Sequence, residues 1–455
     1  MTEPAITLAE LELPETSAKA GEDSFGSFTS GVVLTVATRL LMLAGTLGAS
    51  IVVARRLGPD GFGTLAVLNA TVALTLQIVS AGLPSANTYI IAKDRQSLAP
   101  VWANAILFAL LAGALAALTV FALARIKPSL FGGVSLDLLA IASFSIPFQL
   151  LTLLGLNVLL ALDRIGQMNL LDCWSSILTL LNAVVALLIL RMGLTTLVTL
   201  NTGAAVLISL LLAAIVGRLL RSQKEGRGFR PDLSLLKNML AYGLKFYISI
   251  MAGYVIFRVD LLIVNHFRGV SEAGVYAVAS QVSFLLLMMP AVIASLLFPR
   301  VASQQDPRGT FAVQVTRNTS FLLLVICLAA AAGSFALPLV YGARFSEATT
   351  QLLILLPGVY LVGLESVLVQ HFTGTNLPPA IPAFWIVTLV INLGLNLALV
   401  PLWGARAAAL NSTLSYGLIF LLVAAFFGRR TGRRVGEILL PRSGELRELF
   451  ARIRL

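Results

Sequence analysis

Apolar stretches long enough to cross a bilayer recur twelve times along the chain. They fall at roughly 29–54, 61–91, 98–124, 134–162, 166–190 and 195–219, and again at 238–264, 272–298, 317–341, 347–372, 379–401 and 406–428. An α-helix needs about 20 residues to span the hydrocarbon. Helices are the form that satisfies every backbone N–H and C=O within its own segment, and lipid offers no other partner. The stretches are too long and too uniformly apolar for barrel strands. The expectation is an all-α polytopic membrane protein of about twelve transmembrane helices.

Composition closes the soluble alternative. Hydrophobic residues make up 58% of the 455 and charged residues 12%, with a mean hydropathy of +0.92. A soluble domain carries about 25% charged residues. The net charge of +11 does not indicate nucleic acid, because the basic residues lie between apolar blocks, as they do in the loops of membrane proteins. Cys173 and Cys327 sit alone inside apolar segments, and His266 and His371 have no ligand partners in metal spacing, so neither a disulfide framework, a metal centre nor a cofactor is expected. The first 28 residues hold six acids against Lys19 and no apolar core, which makes them a cytoplasmic extension rather than a signal peptide.

Orientation and organisation follow from the loops. Placing the N-terminus in the cytoplasm puts Lys93, Arg95, Arg164, the run from Arg218 to Lys237, and Arg300, Arg308 and Arg317 on the cytoplasmic side, joined by the arginines of the tail. The opposite loops hold fewer, among them Arg55, Arg56, Arg125, Lys127, Arg268 and Arg344. Both termini are therefore expected in the cytoplasm. The polar stretch around 221–237 separates two six-helix lobes, 29–220 and 238–428, and 429–455 forms a basic tail, GELRELFARIRL, with an amphipathic pattern suited to the inner leaflet. The halves read as copies. Gly58, Gly63, Trp174 and Gly193 recur as Gly269, Gly274, Trp385 and Gly404 at an offset of 211, and Pro128, Gly132, Pro147 and Asn182 recur as Pro338, Gly342, Pro357 and Asn392 at 210. Six helices per copy is an even number, so the copies insert in parallel, related by a pseudo-two-fold axis along the membrane normal. Pro147, Pro290 and Pro357 are expected to kink their helices.

Charges inside the spans carry the functional signal. An ionised side chain at mid-membrane costs at least about 2.5–3.5 kcal/mol and normally faces a bundle interior or a water-filled cavity. Arg39 lies within the first segment, and Lys245, Arg258 and Asp260 within the seventh. On a regular helix Tyr247, Tyr254 and Arg258 share a stripe, while Arg258 and Asp260, two residues apart, point to different sides. One reading is a cationic cavity between the lobes in which Arg39, Arg258 and Lys245 meet an anionic head group. The other is structural, with Arg39 paired to Asp260 and Lys245 snorkelling. Asp260, Glu365, Asp172 and Tyr254 are the candidates for lining the cavity or carrying a coupling ion. Asn69, Gln77, Gln149, Gln281, Asn182, Asn392 and Asn396 read as hydrogen-bonding glue between helices. GPDGFG is a turn without the lysine of a phosphate-binding loop, and no loop is long enough to house transferase chemistry, so the chain is not read as an enzyme.

Several stretches resemble one known family. ARRLGPDGFG and AGLPSANTYI in the first lobe, VDLLIVNHFRGVSEAGVYAVAS and LLFPRVAS in the second, and LVYGARFSEATTQLLILLPG and NLGLNLALVPLWGARAAALNSTLSYG further on are similar to the polysaccharide repeat-unit (O-antigen type) flippases of the multidrug/oligosaccharidyl-lipid/polysaccharide exporter superfamily. The resemblance implies a V-shaped bundle of two six-helix lobes working by alternating access in the cytoplasmic (inner) membrane. It implies an undecaprenyl-diphosphate-linked oligosaccharide as cargo, surrounding membrane lipid, proton or sodium coupling, and a polysaccharide polymerase or glycosyltransferases as partners in polysaccharide or lipopolysaccharide synthesis. In that family cationic cavity residues meet the diphosphate, a role open here to Arg39, Arg258 and Lys245. Two alternatives stand beside it: a cation-coupled multidrug antiporter of the same superfamily, and a non-transporting scaffold of a polysaccharide-synthesis complex. Arg39 in the first lobe favours an anionic cargo over a cationic one.

Overall fold

The computed structural model describes residues 17–222, 228–304, 309–375, 378–433 and 436, and side chains from residue 41 onward apart from those at 245, 246, 249, 295, 296, 298–300, 302–304, 374 and 375. Ten of its helices are long and apolar enough to cross a membrane. Two of these are pairs joined through a glycine: α1 (Ser17–Ser80) turns at Gly58, and the last helix (Ala380–Thr431) turns at Gly404. Counting each pair as two gives the twelve crossings expected, and the protein is an all-α polytopic membrane protein. The outer surface agrees with that reading. On the third crossing Leu111, Leu115 and Leu118 lie on one helical face and are each about two-thirds exposed, a pattern that suits lipid and not water.

The first half continues from α1 through α2 (Leu83–Lys93), α3 (Leu98–Ile126), α4 (Leu136–Phe144), α5 (Ile146–Ala161), α6 (Ile165–Val184, followed by a π-helical turn at Val185–Ile189) and α7 (Leu194–Ser222). The second half holds α8 (Leu233–Ile256), α9 (Val259–Arg268), α10 (Val270–Leu286), α11 (Met288–Gln304), α12 (Thr310–Ser334), α13 (Leu337–Tyr341), α14 (Glu347–Leu368), α15 (Gln370–Thr375) and α16 (Ala380–Thr431).

The two halves share their corners. Gly58 (φ 66°, ψ −170°) and Gly269 (φ 87°, ψ 173°) are repeat mates with nearly the same conformation, and both lie in a region closed to residues with a Cβ. Gly132 and Gly342, also mates, both have positive φ. Prolines act less uniformly than their spacing predicts. The break between α4 and α5 lies just before Pro147, and the break between α10 and α11 just before Pro290, where the missing N–H leaves the preceding turn unsupported. Pro357, the mate of Pro147, sits inside α14 without interrupting it.

The halves meet through backbone. A Cβ on Gly63 would run into the Val270 carbonyl and come within 2.8 Å of the Gly274 nitrogen, so α1 and α10 cross at a pair of repeat-mate glycines. Near that end Arg55 donates to the carbonyls of Leu339 and Val340 (2.8 Å to the latter), and Asn265 donates to the Phe131 carbonyl at 2.8 Å. At the far end of the helices a second glycine contact joins Gly82 to Gly243, where an added Cβ on Gly243 would lie 2.6 Å from Gly82 backbone. Tyr247 donates there to the carbonyls of Gln77 and Ile78, and the Tyr89 and Tyr242 rings stack at 4.4 Å.

Candidate functional site

Between these two sets of contacts lies a cavity of about 430 Å³. Its walls come from both halves: α1 (Thr46, Ser50, Asn69), α6 and α7 (Thr179, Asn201), and α8–α10 of the second half (Arg258, Ser280, Gln281, Phe284). Among the described residues Arg258 is the one charged side chain in that wall. No acid faces it there.

Arg258 reaches the cavity because the seventh crossing is not a regular helix. α8 stops at Ile256 and α9 begins at Val259, leaving Arg258 at φ −130°, ψ −25°. This corrects the continuous helix expected over 238–264, and the stripe joining Tyr247, Tyr254 and Arg258 does not continue through the break. No proline causes it. Phe257 is held in an aromatic cluster, 5.6 Å from Phe284, 5.2 Å from Tyr416 and 6.4 Å from Trp385 between ring centres, and Gly253 lets Trp385 approach the helix closely. Tertiary packing thus overrides local helix propensity. The Arg258 guanidinium lies 4.8 Å over the Phe284 ring and forms no ion pair among the described residues. A cation–π contact leaves the guanidinium edge, with its N–H donors, open to an anion.

Asp260 is placed quite differently. It is 2% exposed and does not line the cavity. One carboxylate oxygen accepts from Tyr276 and, at 2.9 Å, from Ser412, and the other accepts from the Leu261 N–H at 2.7 Å. The carboxylate ties α9, α10 and α16 together. Such a group in a low-dielectric interior requires hydrogen bonds on both oxygens, and this one has them.

Of the remaining candidates, Tyr254 lines a neighbouring cavity of about 390 Å³ within reach of Gln77 and Gln149. Glu365 is 2% exposed on α14, with one carboxylate oxygen unpartnered among the described residues, and lies outside the central cavity. Asp172 is half-buried on α6 and also lies outside it. Arg39 belongs to α1, but its side chain, like that of Lys245, lies outside the described residues, as do the first 16 residues and nearly all of the basic tail. Among the described residues no group of three or more metal-ligating side chains gathers.

Sequence reading passed over Thr179, Asn201 and Ser280, and took Asn69, Gln149 and Gln281 as helix glue. The structure turns these polar groups toward the hollow space. One signal was available: Asn69 and Ser280 are repeat mates at the offset of 211, and both line the cavity.

Comparison with known proteins supports the same architecture. Over 229 residues the chain is 24% identical to a protein described as a probable low-salt glycan biosynthesis flippase of Haloferax volcanii, an alignment covering 49% of this chain and 48% of that one. It is 27% identical over 308 residues to the succinoglycan biosynthesis transport protein ExoT of Rhizobium meliloti, covering 64% and 58%. The aligned stretch thus spans less than two-thirds of each relative's own length. The fold matches the lipid II flippase MurJ in an inward closed conformation, with a TM-score of 0.74 at 12% identity over 90% of this chain and 89% of that one. It also matches an inward-facing multidrug resistance transporter of the MATE family and MOP superfamily, with a TM-score of 0.63 at 15% identity over 86% and 94%. At such identities the likeness is one of fold. The profile of the polysaccharide biosynthesis protein family matches residues 28–305, well over half of the sequence, and the chain belongs to that family.

Proposed function

We propose that this protein is a flippase for a lipid-linked oligosaccharide, carrying undecaprenyl-diphosphate-linked repeat units from the cytoplasmic to the opposite leaflet by alternating access. The observation that carries the reading is Arg258: a guanidinium without an acid partner among the described residues, in the wall of a cavity shared by both halves. A cation inside a span is costly; the sealed Asp260 carboxylate acts on Arg258 electrostatically without an ion pair among the described residues, and a diphosphate would add charge-assisted hydrogen bonds at its free edge. In this reading Arg39 and Lys245 add positive charge along the route, and the prenyl tail stays in lipid. The flippase names of the relatives agree with this cargo class.

The glycine contacts give the motion a geometry. With both termini in the cytoplasm, Gly63 and Gly274 close the outer end, and Gly82 and Gly243 join the halves at the inner end. Coupling to protons or sodium is assigned to the buried acids, Asp260 or Glu365, and the membrane is the cytoplasmic one. Polymerase and glycosyltransferases act on either side of the transport step. An organic-cation antiporter would want an acid where Arg258 stands.

The test is transport by the purified protein in proteoliposomes. Wild type should move a prenyl-diphosphate oligosaccharide between leaflets and should not expel organic cations, and Arg258→Gln should move neither. Organic-cation efflux by wild type, or full lipid flipping by Arg258→Gln, would sink the reading.

A further inference from the structure

The central cavity continues into the first half, and its chemistry changes on the way. A second hollow of about 280 Å³ shares Leu65, Asn69, Ala73 and Asn201 with it. A third, of about 390 Å³, shares Ala73 and Gln149 with the second. Arg258 stands in the wall of the first hollow only. Among the described residues the other two have no charged lining residue at all. Their polar groups are carboxamides and hydroxyls: Asn69, Gln77, Gln149 and Asn201, with Thr152 and Ser175 farther in.

These amides are only partly used by the protein. Gln149 donates to Ser145 at 2.7 Å, which leaves its carbonyl oxygen open, and Asn201 accepts from Asn182 at 3.0 Å, which leaves its NH2 open. Asn69 is exposed within the cavity and makes no side-chain hydrogen bond among the described residues. None of the three has a buried polar atom lacking a partner, so their free groups face open space rather than packed side chains. Asn201 is bonded to Asn182 across α6 and α7 as helix glue would be, but its free NH2 still lines the cavity, and Asn69 and Gln149 make no amide–amide bond among the described residues. A carboxamide offers two donors and two acceptor lone pairs without charge. That is the complement of a sugar hydroxyl, which both donates and accepts, and Tyr254 adds an aromatic wall to the farthest hollow.

We infer that the amide-lined extension through Asn69, Asn201 and Gln149 is the subsite for a neutral glycan, separate from the anion-binding end at Arg258. The inference rests on the flippase reading for its lipid anchor but assigns different residues to a different part of the cargo. Ala73 is the junction: it lines all three hollows, so bulk placed there closes the way from the cation to the amides.

The test is binding to the purified full chain in nanodiscs, using a prenyl diphosphate and the same prenyl diphosphate carrying a neutral disaccharide. Free disaccharide at millimolar concentration, followed by saturation-transfer NMR, reports on the subsite alone. Asn69→Leu with Gln149→Leu should weaken the glycosylated lipid about tenfold or more and abolish the free-sugar signal, leaving the bare prenyl diphosphate within about twofold. Ala73→Phe, which alters no polar group, should do the same, and Asn69→Gln should restore most of the binding. Arg258→Gln should weaken both lipids and leave the free-sugar signal in place. A wild-type protein that gives no free-sugar signal and does not prefer the glycosylated lipid overturns the subsite. So does an equal loss of both lipids in the amide variants. Free-sugar binding sensitive to Asn69→Leu, with no prenyl-diphosphate binding at all, would keep the subsite and remove the diphosphate reading.

Discussion

The two halves repeat one another in their corners and differ in what they do with polar side chains. Gly58 and Gly269, Gly132 and Gly342, and Gly63 and Gly274 occupy matching places with matching backbone demands. In the second half the polar groups of the spans are sealed: Asp260, Asn392, Asn396, Asn411 and Ser412 are at most 2% exposed and largely bonded to each other or to Tyr276 and Ser415. In the first half the corresponding pair are bonded to each other, Asn182 to Asn201 at 3.0 Å, and Asn201 lines the cavity. Asn182 and Asn201, mates of Asn392 and Ser412, are half-buried, and Asn69 is exposed within the cavity. The second half thus seals this cluster, whereas Asn69 and Asn201 of the first half line the cavity, beside fully buried amides such as Asn87 and Asn104 that tie helices together there too. The break at Phe257–Arg258 sets the second half apart. Its mate in the first half, at 46–47, is ordinary helix, and only the broken copy delivers a charge to the shared cavity.

That contrast can be broken by substitution. The largest effect belongs to Arg258→Glu, which should reduce lipid flipping more than a hundredfold while leaving the melting temperature in detergent nearly unchanged; a matching collapse in stability would make Arg258 a structural residue like its sealed neighbours. Next is Asp260→Leu, which strands Tyr276 and Ser412 without their acceptor. It should destabilise the protein by about 3 kcal/mol, and thermal unfolding that moved no more than for a cavity-facing residue would erase the distinction between the halves. Asp260→Asn keeps an acceptor and should fold, which allows its part in ion coupling to be read from the ion dependence of transport. Gly274→Val forces a side chain into the Pro59 and Gly63 backbone and should cost about 1–3 kcal/mol of the state in which that end is closed, seen as faster cross-end labelling of introduced cysteines. The smallest and sharpest comparison is between repeat mates. Asn392→Leu loses a buried bond to Ser415 (2.9 Å) and the acceptor of Asn396, and should cost about 1–3 kcal/mol. Asn182→Leu, half-buried and bonded to Asn201, should cost about 0.6 kcal/mol. Equal costs would mean that the first half is as sealed as the second.

Much of this was written in the sequence. Twelve apolar blocks carry the fold class, because lipid leaves the backbone few choices, and glycine marks the corners where only it fits. Arg258 was legible as a charge where charge is expensive. Its orientation was not, since the break that aims it comes from Phe257 packing among Phe284, Trp385 and Tyr416, residues distant in sequence. For the same reason Asp260 read as a cavity candidate. Nothing local announces that Tyr276 and Ser412 converge on it. The amides of the first half were visible as residue types, but whether an amide bonds to a neighbour or to open space depends on packing that a linear pattern does not encode. Arg258 and Phe284 meet across a helix turn and a corner, so spacing alone could not pair them.

The central claim, that a fixed guanidinium in the shared cavity receives an anionic lipid head, has a direct measurement. Native mass spectrometry of the purified protein can count bound prenyl diphosphate, prenyl monophosphate and neutral prenol of one chain length, with wild type and Arg258→Gln side by side. The account predicts that wild type binds the diphosphate at least tenfold more tightly than the prenol, with the monophosphate between them, and that Arg258→Gln flattens the series. Equal affinity for the prenol, or an unchanged series in Arg258→Gln, would contradict it.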